Sequence, residues 1–106
     1  MEHRFIGEDL DITITLEPID GFSFTADNFE VELWVGSEMK VSKRKTECDV
    51  LSATECAVRA TTEELGVGLA KAVVRAYIPN ESFENNVRRA VGYANVCIIH
   101  DKFSDE

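Results

Sequence analysis

The sequence is short of most residues that carry chemistry. It holds two histidines, three cysteines, two prolines and a single tryptophan. His3 and His100 stand near opposite ends, each beside an acidic neighbour (Glu2, Asp101). No converging ligand set forms around them, and they read as exposed residues close to frayed termini. The cysteines lack C-x-x-C spacing, and no base accompanies a cysteine or serine in a pattern that would make it a nucleophile. Gly66-Val67-Gly68 leads into a strand pattern, so its glycines are turn residues and no phosphate-cradling loop is present. The acidic groups at Glu8, Asp9 and Asp11, and at Asp20, Asp27 and Asn28, lack the regular spacing of a calcium loop and read as solvated surface. A non-enzyme is expected, with no catalytic residues, no cofactor and no metal.

Positive charge is scarce too. Eleven Lys+Arg against twenty Asp+Glu leave a net charge of -9. That field repels phosphate backbones and anionic lipid, so neither nucleic acid nor membrane is expected as a partner. No apolar run is long enough to span a bilayer. Met1-Glu2-His3-Arg4 lacks the basic and apolar regions of a signal peptide, so synthesis in the cytoplasm is expected, with Cys48, Cys56 and Cys97 as reduced thiols.

What is present is strand pattern. Phe29-Glu30-Val31-Glu32-Leu33-Trp34-Val35 alternates with period two, which puts Phe29, Val31, Leu33 and Val35 on one face and Glu30, Glu32 and Trp34 on the other. Leu10 to Leu16 repeats the pattern with β-branched residues. Pro18-Ile19-Asp20-Gly21 is turn chemistry, and Phe22 and Phe24 offer two rings to the end of the core. Met39 to Thr46, with Lys40, Lys43, Arg44 and Lys45, reads as an edge strand blunted by charge. Cys48 to Leu51 and Thr54 to Ala60 make a hairpin around Ser52-Ala53, with Asp49 opposite Cys56. Thr61-Thr62-Glu63-Glu64 is a capping box that predicts about one turn of helix. Leu69 to Ile78 is a strand, and Ala90 to Ile99 another, apolar on both faces and therefore expected inside a sheet. Arg59 and Arg75 are expected to pair with Glu30 or Glu32. The sum is an all-β, immunoglobulin-like antiparallel β-sandwich of seven to eight strands with one short helical turn. It forms a single domain over residues 1–106, with 1–4 and 101–106 frayed.

Two side chains break the polarity of their surroundings. Trp34 stands in the outer row with Glu30 and Glu32, and Phe83 stands between Ser82 and Glu84 in the polar stretch from Pro79 to Asn86. Large aromatics on polar surface mark protein contacts. The plainer alternatives are that lysine or arginine stems cover Trp34 and that Phe83 folds back on the sandwich. Both residues are taken as candidate partner-binding positions.

The order of features adds a resemblance. Phe5-Ile6-Gly7-Glu8-Asp9-Leu10 followed by the alternating strand resembles the opening of the small β-sandwich domains at the N-termini of phage baseplate upper proteins and related tail and fibre proteins. Thr25 to Val31, Thr61 to Leu69 and Ile78-Pro79-Asn80 with the last strand look similar to later parts of those domains. The resemblance implies a structural or adaptor protein of a phage or prophage particle (tail, baseplate or fibre-associated). It would act through contacts with other virion components or by self-association, and it brings no catalytic residues. Those domains usually precede a longer fibre or receptor-binding portion, whereas this sequence stops at Glu106, so a separate virion component or an accessory encoded beside the tail genes is expected. The alternative is an immunoglobulin-like binding module that recognises carbohydrate or a host protein through its loops.

Overall fold

The computed structural model describes residues 2–15 and 19–101. Leu16, Pro18 and the expected frayed tail beyond Asp101 lie outside the described residues. Among the described residues there are eight strands: β1 (Glu2–Phe5), β2 (Asp9–Thr15), β3 (Asn28–Val35), β4 (Glu38–Arg44), β5 (Asp49–Val50), β6 (Glu55–Thr61), β7 (Gly68–Pro79) and β8 (Val87–His100). One helical turn, α1 (Thr62–Leu65), joins β6 to β7. The larger sheet runs β1-β8-β7-β3-β4 and the smaller one β2-β6-β5. This is an immunoglobulin-like sandwich: β2, β6 and β5 stand where strands B, E and D stand, and β3, β7 and β8 stand where C, F and G do. No helix among the described residues is long and apolar enough to cross a membrane.

The period-two rows meet in one core. Leu10, Ile12 and Ile14 of β2 face Phe29, Val31, Leu33 and Val35 of β3, with Val58 and Val74 buried beside them. Phe24 and Phe29 pack edge to face at 4.9 Å between centroids and close one end, with Phe22 against both. The capping box forms as expected: Thr61 Oγ1 accepts from the Glu64 N–H and the Glu64 carboxylate accepts from the Thr61 N–H. Thr62, fully buried, is the polar knot of the opposite end, where β6 passes into α1. Its Oγ1 accepts from the N–H groups of Gly7 and Glu8 (2.9 and 3.0 Å) and lies 3.0 Å from the Phe5 carbonyl, so the β1–β2 turn hangs on the helix start.

Several expectations are corrected. Residues 2–4, expected to fray, form β1 because Glu2 to Phe5 pair with Cys97 to His100, and this pairing is parallel rather than antiparallel. Leu51–Thr54 join β5 to β6, and Leu51 and Ser52 both donate to the Glu55 carbonyl, which leaves one more residue in the turn than the expected Ser52-Ala53. The register therefore sets Asp49 opposite Ala57 and Val50 opposite Cys56. Arg59 lies on the smaller sheet and pairs with Asp49 (3.1 Å) and Asp11 (3.9 Å), while Arg75 does reach Glu32 (2.9 Å). All three cysteines are free.

The last strand departs most. β8 is interior in pairing order, between β1 and β7, yet only one of its faces is covered. Five strands face three, and among the described residues no element stacks on the outer side of the larger sheet. Ala90, Gly92 and Ala94 point inward and are half-buried, while Arg89, Val91, Tyr93 and Asn95 point out and are exposed. Val96 is the extra residue of a bulge: Ala70 pairs with Cys97 and Lys71 with Asn95. The bulge leaves Val96 half-buried and turns Cys97 and Ile99 into the core.

Candidate interaction surface

The outer face of the larger sheet is built from the alternate rows of β3, β7 and β8. Trp34 stands beside Lys71, Glu32 beside Val73, and Glu30 beside Arg75. On the far side of β7, Val73 neighbours Tyr93, Arg75 neighbours Val91, and Tyr77 neighbours Arg89. Tyr93 is 71% exposed and Val91 58%, the two most exposed large apolar side chains among the described residues. Trp34 is half-buried on this face, as its place in the alternation required.

A polar frame holds the surface in shape. The Trp34 indole N–H donates to Glu32 Oε1 at 3.0 Å, and Arg75 Nε donates to Glu32 Oε2 at 2.9 Å. The Tyr77 hydroxyl donates to Glu30 Oε1 at 3.0 Å. Burial pushes the Glu32 carboxyl up, but the hydrogen bonds from Arg75 and Trp34 and the Arg75 charge outweigh it and hold the group below the ordinary carboxylate range. Burial, with the Glu30 hydrogen bond, pushes the Tyr77 hydroxyl up. Both rings are thus fixed by carboxylates at one end and present apolar surface at the other.

The chain matches no protein-family model, no curated protein and no solved structure.

Phe83 sits at the tip of the β7–β8 hairpin, 47% exposed. Its neighbourhood includes a concavity of about 650 Å³ lined by Tyr77, Val87, Arg88 and Arg89. Trp34 and Phe83 are not brought together. Trp34 lies level with Lys71, and from there to Pro79 the strand runs roughly 27 Å at about 3.4 Å per residue. Val73, Val91 and Tyr93 fill the interval. Reading the sequence missed them because apolar residues on both faces of a strand suggest two covering layers. The usable signal was size: Arg89, Val91 and Tyr93 alternate with Ala90, Gly92 and Ala94, and a small-residue row belongs where another sheet comes close.

The remaining chemistry is sparse. His3 and His100 are brought together by the β1–β8 pairing, stacked at 5.1 Å with Nδ1 and Nε2 2.8 Å apart, so one ring donates to the other. Among the described residues, no three His, Cys, Asp or Glu side chains gather to hold a metal ion. Burial, reinforced by the Glu47 charge, pushes the Cys48 thiol up to about 11, and burial pushes Cys56 up to about 12. Thiols so strongly held in the neutral form are poor nucleophiles.

Proposed function

We propose that this chain is a non-catalytic adaptor that acts through protein–protein contacts, docking by the outer face of its larger sheet. The observation that carries the reading is the row Val91–Tyr93 with Val73 and Trp34 beside it. These apolar groups lie on open surface and inside a fixed polar frame. Such a patch gains by burial, and its preset side chains lose little freedom on binding. The acidic field favours a basic partner and faster docking at low salt. Membership of a phage or prophage particle is supported by the resemblance of the Phe5–Leu16 and Thr61–Leu69 stretches to phage tail and baseplate domains.

The test is co-sedimentation of wild type, Trp34→Ser and Tyr93→Ser with the products of neighbouring genes. Wild type is expected to bind one of them and both variants to bind at least about tenfold more weakly, the loss typical of a central aromatic anchor. Binding undiminished in both variants defeats the reading. The hairpin-tip concavity favours a second reading, recognition of carbohydrate or a host protein through the Asn80–Asn86 loop. In that case Phe83→Ser abolishes binding on a glycan array while Tyr93→Ser does not.

A further inference from the structure

We infer that β8 pairs edge to edge with β8 of a second copy of this chain, antiparallel about a two-fold axis at Val91. The inference builds on the adaptor reading, for it names one partner of the same face. Its first support is an open edge. β1 occupies the outer edge of β8 only from Cys97 to His100. Upstream, Val87–Val96 have β7 on one side and, among the described residues, no strand on the other. A strand edge in this state is a template for pairing with another chain. It also bears Val91 and Tyr93, the two most exposed large apolar side chains among the described residues.

Charge selects the occupant. The chain carries a net -9, yet Val87–His100 contains two arginines and no Asp or Glu. Two copies therefore meet here without carboxylate facing carboxylate. β1 blocks the edge from Cys97 on, so the segments both copies can offer centre on Val91. In that register Val91 meets its own symmetry mate on the outer face, and Arg89 lies beside the second copy's Tyr93, a cation–π pair made twice. On the inner face Ala90 meets Gly92, and the second copy's Arg88 arrives opposite Ala94. Ala94 lines a groove of about 510 Å³ between the sheets, whose walls carry Glu2, Glu8, Asp9 and Asp11 with Arg4 as the one cation among the described residues. Arg4 is already paired with Glu2 at 3.0 Å. Arg88 now donates to the Asp20 carbonyl through one nitrogen of its guanidinium, which has further N–H donors to offer. The surface is thus complementary to itself, as a two-fold contact requires.

The test is sedimentation equilibrium on wild type, Val91→Glu, Val91→Lys and an equimolar mixture of the two variants. Wild type is expected to dimerise. Each variant places like charges on the axis and is expected to weaken association about tenfold or more. The mixture places Glu opposite Lys and is expected to regain a dimer. Arg88→Glu, which points a carboxylate at the acidic groove, is expected to weaken association by a similar factor. A monomeric wild type overturns the pairing, as does a mixture no more dimeric than its components. Trp34→Ser separates the two proposals, since it is expected to dimerise like wild type while losing the docked partner. Partner binding by a monomeric wild type overturns the pairing alone, and a dimer that binds no partner overturns the adaptor reading alone.

Discussion

The two flanks of the sandwich treat their edges differently. On one flank the larger sheet ends in β4 and the smaller in β5. β4 turns Lys43 onto the inner row, opposite Val31, and carries Lys40 and Arg44, while β5 is only two residues long. Inward charge and brevity are both devices that stop a strand edge from recruiting another chain. On the other flank, among the described residues, β2 has a partner only in β6, and β8 is capped by β1 along four residues of its fourteen. The open part of β8 carries two arginines and no acidic residue. One flank carries devices against joining and the other leaves an edge open, so the open edge is where the proposed assembly is to be sought.

The comparison rests on one core beneath both flanks, and the largest effect tests that premise. Leu33→Ala is expected to lower stability by about 2–4 kcal/mol in urea titration. It should speed amide exchange in β2 and β4 together; loss confined to one flank would mean two units instead of one. Thr62→Val comes next. It strands the Gly7 and Glu8 N–H groups, with an expected cost of about 1–3 kcal/mol. Faster amide exchange should appear at the β1–β2 turn before β4.

Lys43→Val sharpens the contrast by removing the inward charge from the guarded flank. Stability should change by less than about 1 kcal/mol, while light scattering should rise with concentration; unchanged scattering would mean that Lys43 does not guard the edge. The smallest effect belongs to the outer face. Glu32 has a lowered folded-state pKa, so its contribution is present above the ordinary carboxylate range and is lost as pH falls through the depressed value. Stability measured against pH should therefore fall more steeply on the acid side in wild type than in Glu32→Gln.

The rows that face the core were legible in the sequence, because a strand buried on one side must alternate. Phe29 to Val35 and Leu10 to Ile14 obey that rule residue by residue, and Thr61 to Glu64 names its own cap. β1 was illegible because a short strand with Glu2, His3 and Arg4 owes its place to a partner at the far end of the chain. The β5–β6 register depended on one extra loop residue, which composition does not count. The outward position of Trp34 followed from alternation, but its hydrogen bond to Glu32 did not. Val91 and Tyr93 went unnoticed for a related reason: hydrophobicity says that a face prefers cover, and says nothing of whether the same chain supplies it.

The parallel pairing of β1 with β8 has a mechanical consequence. Glu2 lies beside Cys97 and Phe5 beside His100, so the chain enters at one end of this short ladder and leaves at the other. Tension applied before Glu2 and after His100 pulls the two strands past each other along their length. The ladder is then loaded in shear, and all its hydrogen bonds resist together, where an antiparallel pair pulled from the same two positions would open one bond at a time. Four residues of β1, knotted to α1 through Thr62, thereby act as a latch against stretching.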